Sequence, residues 1–174
     1  MSFHVAAFIA TSLDGYIARK DGSIDWLTRR AEQAGDTGYD QFMASVDTVA
    51  VGRKTYELAL TFDDWPYEGK QVEVLSTTLD PGADERVLVH RTLDALVETL
   101  DDRGAKRVYA DGATTIQTFL RAGLLNELTI TTAPVLLGGG ISLFGALDAE
   151  VSLSHNATRT LKAGFVQSDY TVRR

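Results

Sequence analysis

The chain contains no cysteine. Disulfide bridges, thiolate metal sites and a cysteine nucleophile are therefore excluded, while the redox compartment stays open. It also lacks any excess of positive charge, with 17 Lys and Arg against 24 Asp and Glu and a formal net charge of -7. Such a surface repels a polyanion, so nucleic acid is not expected as a partner and any phosphate must be bound locally. No apolar run approaches the length of a membrane span, and the N-terminus shows no basic region leading into a long apolar one. We expect no membrane partner and a cytoplasmic location. No repeat, low-complexity tract or linker interrupts the 174 residues, and the fifteen glycines are dispersed. One domain over residues 1–174, with one site, is the prediction.

What remains is an ordinary globular composition, 44% hydrophobic and 24% charged. Phe3 to Ala10 reads as a buried first strand, ending at the turn Ser12-Leu13-Asp14-Gly15. Tyr16 to Trp26 and the stretch holding Gly35 and Gly38 read mostly as loop. Tyr39 to Ala44 has helical spacing, and Val46 to Val51, Val72 to Leu75, Val87 to Val89, Val108 to Ala110 and Leu128 to Thr132 read as strands. Helices are predicted over Tyr56 to Leu60, Leu93 to Leu100 and Gly112 to Ala122, and a surface loop over Phe62 to Gly69. Val151 to Leu161 and Phe165 to Val172 alternate apolar and polar residues around Lys162-Ala163-Gly164, which predicts an antiparallel hairpin. The expected fold is α/β, with a mixed, mostly parallel sheet flanked by helices.

Two strand-to-helix junctions carry the chemistry. Gly52-Arg53-Lys54-Thr55 follows one strand, and Asp111-Gly112-Ala113-Thr114-Thr115 follows another. A helix start offers free N–H donors and a partial positive charge, so each can seat a phosphate. Two such sites suggest a ligand with more than one phosphate.

Five ordered segments carry a resemblance: Ser12-Leu13-Asp14-Gly15-Tyr16-Ile17-Ala18, Val51 to Glu57, Val74-Leu75-Ser76, Asp111-Gly112 with Phe119-Leu120, and Pro134 to Gly138. The chain resembles the dihydrofolate reductase superfamily over nearly its whole length. Within it, the similar branch holds the reductase domain of the bifunctional riboflavin-biosynthesis deaminase-reductase. The resemblance implies a dihydrofolate reductase-like fold, NADPH as cofactor, a small-molecule substrate and a homodimer. It sets Gly52, Arg53, Lys54 and Thr55 on the pyrophosphate and 2′-phosphate, a placement that the planar fork of Arg53, the charge of Lys54 and the hydroxyl of Thr55 suit. Ser76 and Thr77 resemble a second contact to the 2′-phosphate. Gly112, Ala113, Thr114 and Thr115 match the glycine-rich turn against the pyrophosphate, with Ala110 and Ile116 flanking it; relatives often have consecutive glycines where this chain has Asp111-Gly112-Ala113. Ala10, Ile17 and Ala18 match positions against the nicotinamide, although Ile17 fits core packing equally well.

For the substrate side, the resemblance offers Trp26 beside the second ligand, Thr131 on the pocket wall, and Leu137 and Gly138 as N–H donors to a substrate phosphate. Trp26 reads equally as a core anchor. Candidate acids are Asp36 and Asp40, which bracket the place where folate reductases hold the pterin, and Asp14, which also fits a turn carboxylate bonding its own backbone. His4, His90 and His155 have no metal-ligand spacing, so no metal is expected. The function implied is an NADPH-dependent reductase of a small heterocyclic or carbonyl substrate, of the riboflavin-biosynthesis type. A non-catalytic nucleotide-binding or scaffolding homodimer and a dihydrofolate reductase proper stay open beside it.

Overall fold

The computed structural model describes residues 2–173. Its elements are β1 (His4–Ser12), β2 (Tyr16–Ala18), α1 (Asp25–Ala34), α2 (Tyr39–Ser45), β3 (Thr48–Gly52), α3 (Arg53–Ala59), β4 (Gln71–Leu75) and β5 (Val87–His90). There follow α4 (Leu93–Asp102), β6 (Arg107–Asp111), α5 (Ala113–Arg121), β7 (Leu125–Ala133), β8 (Ile141–Ser142), β9 (Leu153–Thr160) and β10 (Val166–Val172). Eight strands form one sheet in the order β5-β4-β3-β6-β1-β7-β10-β9. Neighbours from β5 to β7 are parallel, and β10 runs antiparallel to both β7 and β9. The predicted mixed sheet with its C-terminal hairpin is what forms.

A parallel sheet needs cover on both faces, and side-chain alternation assigns the two layers. Ala50, Val108 and Ala110 pack against Leu96 and Leu100 of α4 and Ile116 and Phe119 of α5. Val49, Val51 and Tyr109 pack in a second cluster with Tyr56 and Ala59 of α3, joined by Phe42 and Met43 of α2. At the C-terminal end of α4, buried Glu73 lies 2.6 Å from His90 Nε2 and 3.1 Å from Arg103 Nη1, so His90 belongs to a buried polar group.

The structure departs from the sequence reading in three places. Residues 25–34, read as loop, form α1; its apolar residues are few, and Ile24 at its N-cap makes no side-chain cap bond, so the usual start signal is missing. The segment after α3 is more than a surface loop. Trp65 packs edge-on between Tyr56 and Tyr67, the Arg86 guanidinium sits 4.2 Å over its ring, and Tyr67 is buried. Finally, β8 pairs with β2 in a small separate ribbon. Gly140 permits this at a φ of +147°, because a Cβ there would lie 2.2 Å from the Ala18 carbonyl oxygen.

Candidate active site

Parallel strands deliver their C-terminal ends to one rim, and ligands of open α/β sheets gather there. The register sets Gly52 beside Leu75 and Val51 beside Asp111, so α3 and α5 begin next to each other. Their contact is close. Gly112 has a φ of +92°, and a Cβ on it would stand 2.3 Å from Thr55 Oγ1. The two helix starts thus meet through a missing side chain, with Ser76 one strand further along the same rim.

Below the rim opens a cavity of about 410 Å³, a size within the usual range for small-molecule sites. Phe8, Ile9 and Ala10 of β1, Ile17 of β2, and Leu27 and Ala31 of α1 supply apolar wall. Thr55, Tyr67, Asp111 and Thr131 supply polar groups to its wall. The Tyr67 hydroxyl donates to Asp111 Oδ2 at 2.7 Å, and the Tyr109 hydroxyl donates to the Phe8 carbonyl at 2.9 Å. Burial pushes the Asp111 carboxyl above its ordinary pKa, against the opposing hydrogen bond from Tyr67. Tyr39 and Tyr67 are pushed up by burial and then by the nearby Asp111 charge. The result is a carboxyl flanked by tyrosine rings in a largely apolar chamber.

The residues predicted for the nucleotide divide between the cavity wall, the rim and the interior. Ala10, Ile17, Thr55 and Gly112 line the cavity. Gly52, Arg53, Lys54, Thr77 and Thr114 lie on the rim, where Arg53 pairs with Glu57 at 2.9 Å. The side chains of Ala110 and Ile116 are in the core, and Ala113 and Thr115 are buried, so these four are available to a ligand chiefly through backbone. Ser76 is buried and its hydroxyl accepts the Thr78 and Leu79 amides, closing its own turn.

The substrate side is more changed. Trp26 does not line the cavity; it is 1% exposed and packs with Ala34 and Phe165, which do, so it backs the wall. Thr131 is on the wall, its Oγ1 accepting from Gln167 Nε2 at 2.8 Å. Asp36 and Asp40 are exposed and lie outside the lining, with Asp36 accepting the Gly38 amide. Asp14 also stands outside it. Its carboxylate accepts the Ser12 hydroxyl at 2.6 Å and the Leu137 and Gly138 amides at 3.0 and 2.8 Å. Those bonds, the one from Ser12 foremost, lower its pKa to about 2. Asp14 is thus a latch between two loops, and the amides expected to meet a substrate phosphate are already engaged.

Sequence reasoning passed over Asp111, Tyr67, Tyr39 and Tyr109 as site residues. Asp111 did carry a local signal, a carboxylate directly before a helix-starting glycine. Tyr67 carried none, because its partner is 44 residues away.

Comparisons with known proteins agree with this fold. The uncharacterized protein YwjB of Bacillus subtilis (strain 168) is 39% identical over 155 residues, 87% of this chain and 88% of its own length. The crystal structure of a Shewanella sp. PV-4 protein, described as a riboflavin-biosynthesis candidate, is 39% identical with a TM-score of 0.89, covering 99% of this chain and 100% of that one. Dihydrofolate reductase from Enterococcus faecalis, solved with NADP(H) and RAB-propyl, shares the fold at 17% identity and a TM-score of 0.65, with full coverage of both chains. The RibD C-terminal domain model matches residues 3–167. A dihydrofolate reductase-like fold is what the solved structures share with this chain, and the chain belongs to the RibD C-terminal domain family.

Proposed function

We propose that the protein is an NADPH-dependent reductase that delivers a hydride to a small heterocyclic or carbonyl substrate. The observation that carries this reading is the junction of Gly112 with Thr55, where a Cβ would fill the space that brings two helix starts together above the cavity. That cradle fits a pyrophosphate, and the exposed Arg53 and Lys54 beside it fit a 2′-phosphate. The donor set is right for the nucleotide. Arg91, which donates to the Ser76 carbonyl at 2.8 Å, adds a further cation on that rim.

The nucleotide would supply the hydride; the chain supplies orientation and a proton. Asp111 and Tyr67 are the groups for the second task, since a carboxyl with a raised pKa retains a proton to higher pH and Tyr67 extends it into the cavity. Thr131 and Ala10, register partners on β7 and β1, line the same cavity. Reduction of a ribosylaminopyrimidine phosphate is a second reading, supported by the family to which the chain belongs. The open edge of β9, exposed along most of its length, supports a homodimer, which light scattering would measure.

Calorimetry tests the main reading. Stoichiometric NADPH binding is expected, weaker for NADH, and lost when Arg53 and Thr55 are both changed to alanine. Binding of neither nucleotide would remove the proposal.

A further inference from the structure

We propose that the part of the second ligand held in the cavity is an uncharged, largely apolar, planar ring bearing one carbonyl or imine group, and that the chamber itself seats no phosphate. This rests on the reductase reading and narrows it. Among the described residues no lysine, arginine or histidine lines the cavity, and the carboxyl on its wall is that of Asp111. A phosphate placed there would give up water, meet no cation and approach an acid, which is costly in an apolar enclosure.

The arginines of α1 and of the loop before it are engaged elsewhere. Arg19 and Arg29 bind Asp25 at 2.6 and 3.3 Å, and Arg30 donates to the Trp26 carbonyl at 2.7 Å. In the separate polar depression beyond Thr37, Arg107 binds Glu127 at 2.6 Å and Arg159 donates to Gln167 and to the Thr37 carbonyl. The Leu137 and Gly138 amides are taken by Asp14. What the chamber does offer is flat apolar surface from Phe8, Leu27, Tyr39 and Phe62, and one hydrogen-bonding end at Tyr67 and Asp111. That combination grips a ring by its faces and a single polar atom by its edge.

Naphthol and naphthyl phosphate are a matched pair that differ in charge. Calorimetry on the full chain, with NADPH titrated first, should show naphthol binding at least about tenfold more tightly than its phosphate ester. Phe62 is 45% exposed at the mouth, so Phe62→Lys keeps the fold and sets a cation there. It should narrow the gap by strengthening the ester. Equal or tighter binding of the ester by the unchanged chain would overturn the proposal, as would NADPH binding without any naphthol binding. If NADPH fails to bind, the reductase reading falls instead, and the naphthol preference is then read on the free chain.

Discussion

Tyr67 and Asp111, 44 residues apart, share a 2.7 Å hydrogen bond that ties the loop after α3 to the end of β6. The bond places a donor and a carboxyl on the cavity wall, and both are shifted toward their protonated forms. If this pair manages the proton, Tyr67→Phe should lower kcat by about a hundredfold while leaving NADPH affinity intact. Parallel turnover and calorimetric measurements would separate these effects. An unchanged kcat would assign the pair to packing.

The same carboxyl predicts a pH dependence. A folded pKa raised above the ordinary 3.8 means that the native chain holds the Asp111 proton more tightly than the unfolded chain. Its contribution is intact below that pH and is lost as pH rises through the folded value. Asp111→Asn removes the titration, so its melting temperature relative to the unchanged protein should climb across that interval. A constant difference with pH would show that Asp111 titrates normally.

Asp14 should behave in the opposite sense. Its pKa of about 2, below the ordinary 3.8, means that its contribution is present above pH 3.8 and fades as pH falls toward 2. Asp14→Ala at neutral pH should release the Leu137 and Gly138 amides, which hydrogen exchange would detect as faster exchange confined to that loop. Unchanged protection at both amides would deny the latch.

Gly112→Ala should be severe for two separable reasons. The φ of +92° disfavours a side chain, at a cost of about 1–3 kcal/mol, and the new Cβ meets Thr55 Oγ1. Adding Thr55→Ala removes the clash but not the backbone cost, so urea unfolding of the pair should recover only part of the loss. Full recovery would mean that the backbone conformation is unstrained by alanine.

Trp26→Phe should cost stability and spare ligand binding. The indole is buried with its Nε1 unpartnered, so the ring's volume matters more than its N–H. The expected loss is about 1 kcal/mol in urea, with NADPH affinity unchanged. A large change in ligand affinity would return Trp26 to the binding wall.

Much of the fold was legible because the central strands are buried on both faces and therefore read as continuous apolar runs; Val49 to Val51 is such a case. The hairpin was legible from alternation. α1 was not, since Trp26, Leu27, Ala31 and Ala34 are separated by polar residues and no cap marks the start. The nucleotide-side residues clustered in sequence because strand-to-helix junctions are local. The acids did not: Asp36, Asp40 and Asp14 were nearest to the expected motif, yet the carboxyl on the cavity wall is Asp111.

By itself, the sequence determined the central strands and the strand-to-helix junctions at Gly52 and Gly112, since those depend on residues in direct succession. It also excluded disulfides and a surface suited to polyanions. Only the tertiary structure decided which side chains share the chamber, because Tyr67 reaches Asp111, and Asp14 reaches Gly138, across distant stretches of chain. Sheet order and loop packing create those neighbours, and long-range contacts of that kind leave no mark in local residue spacing.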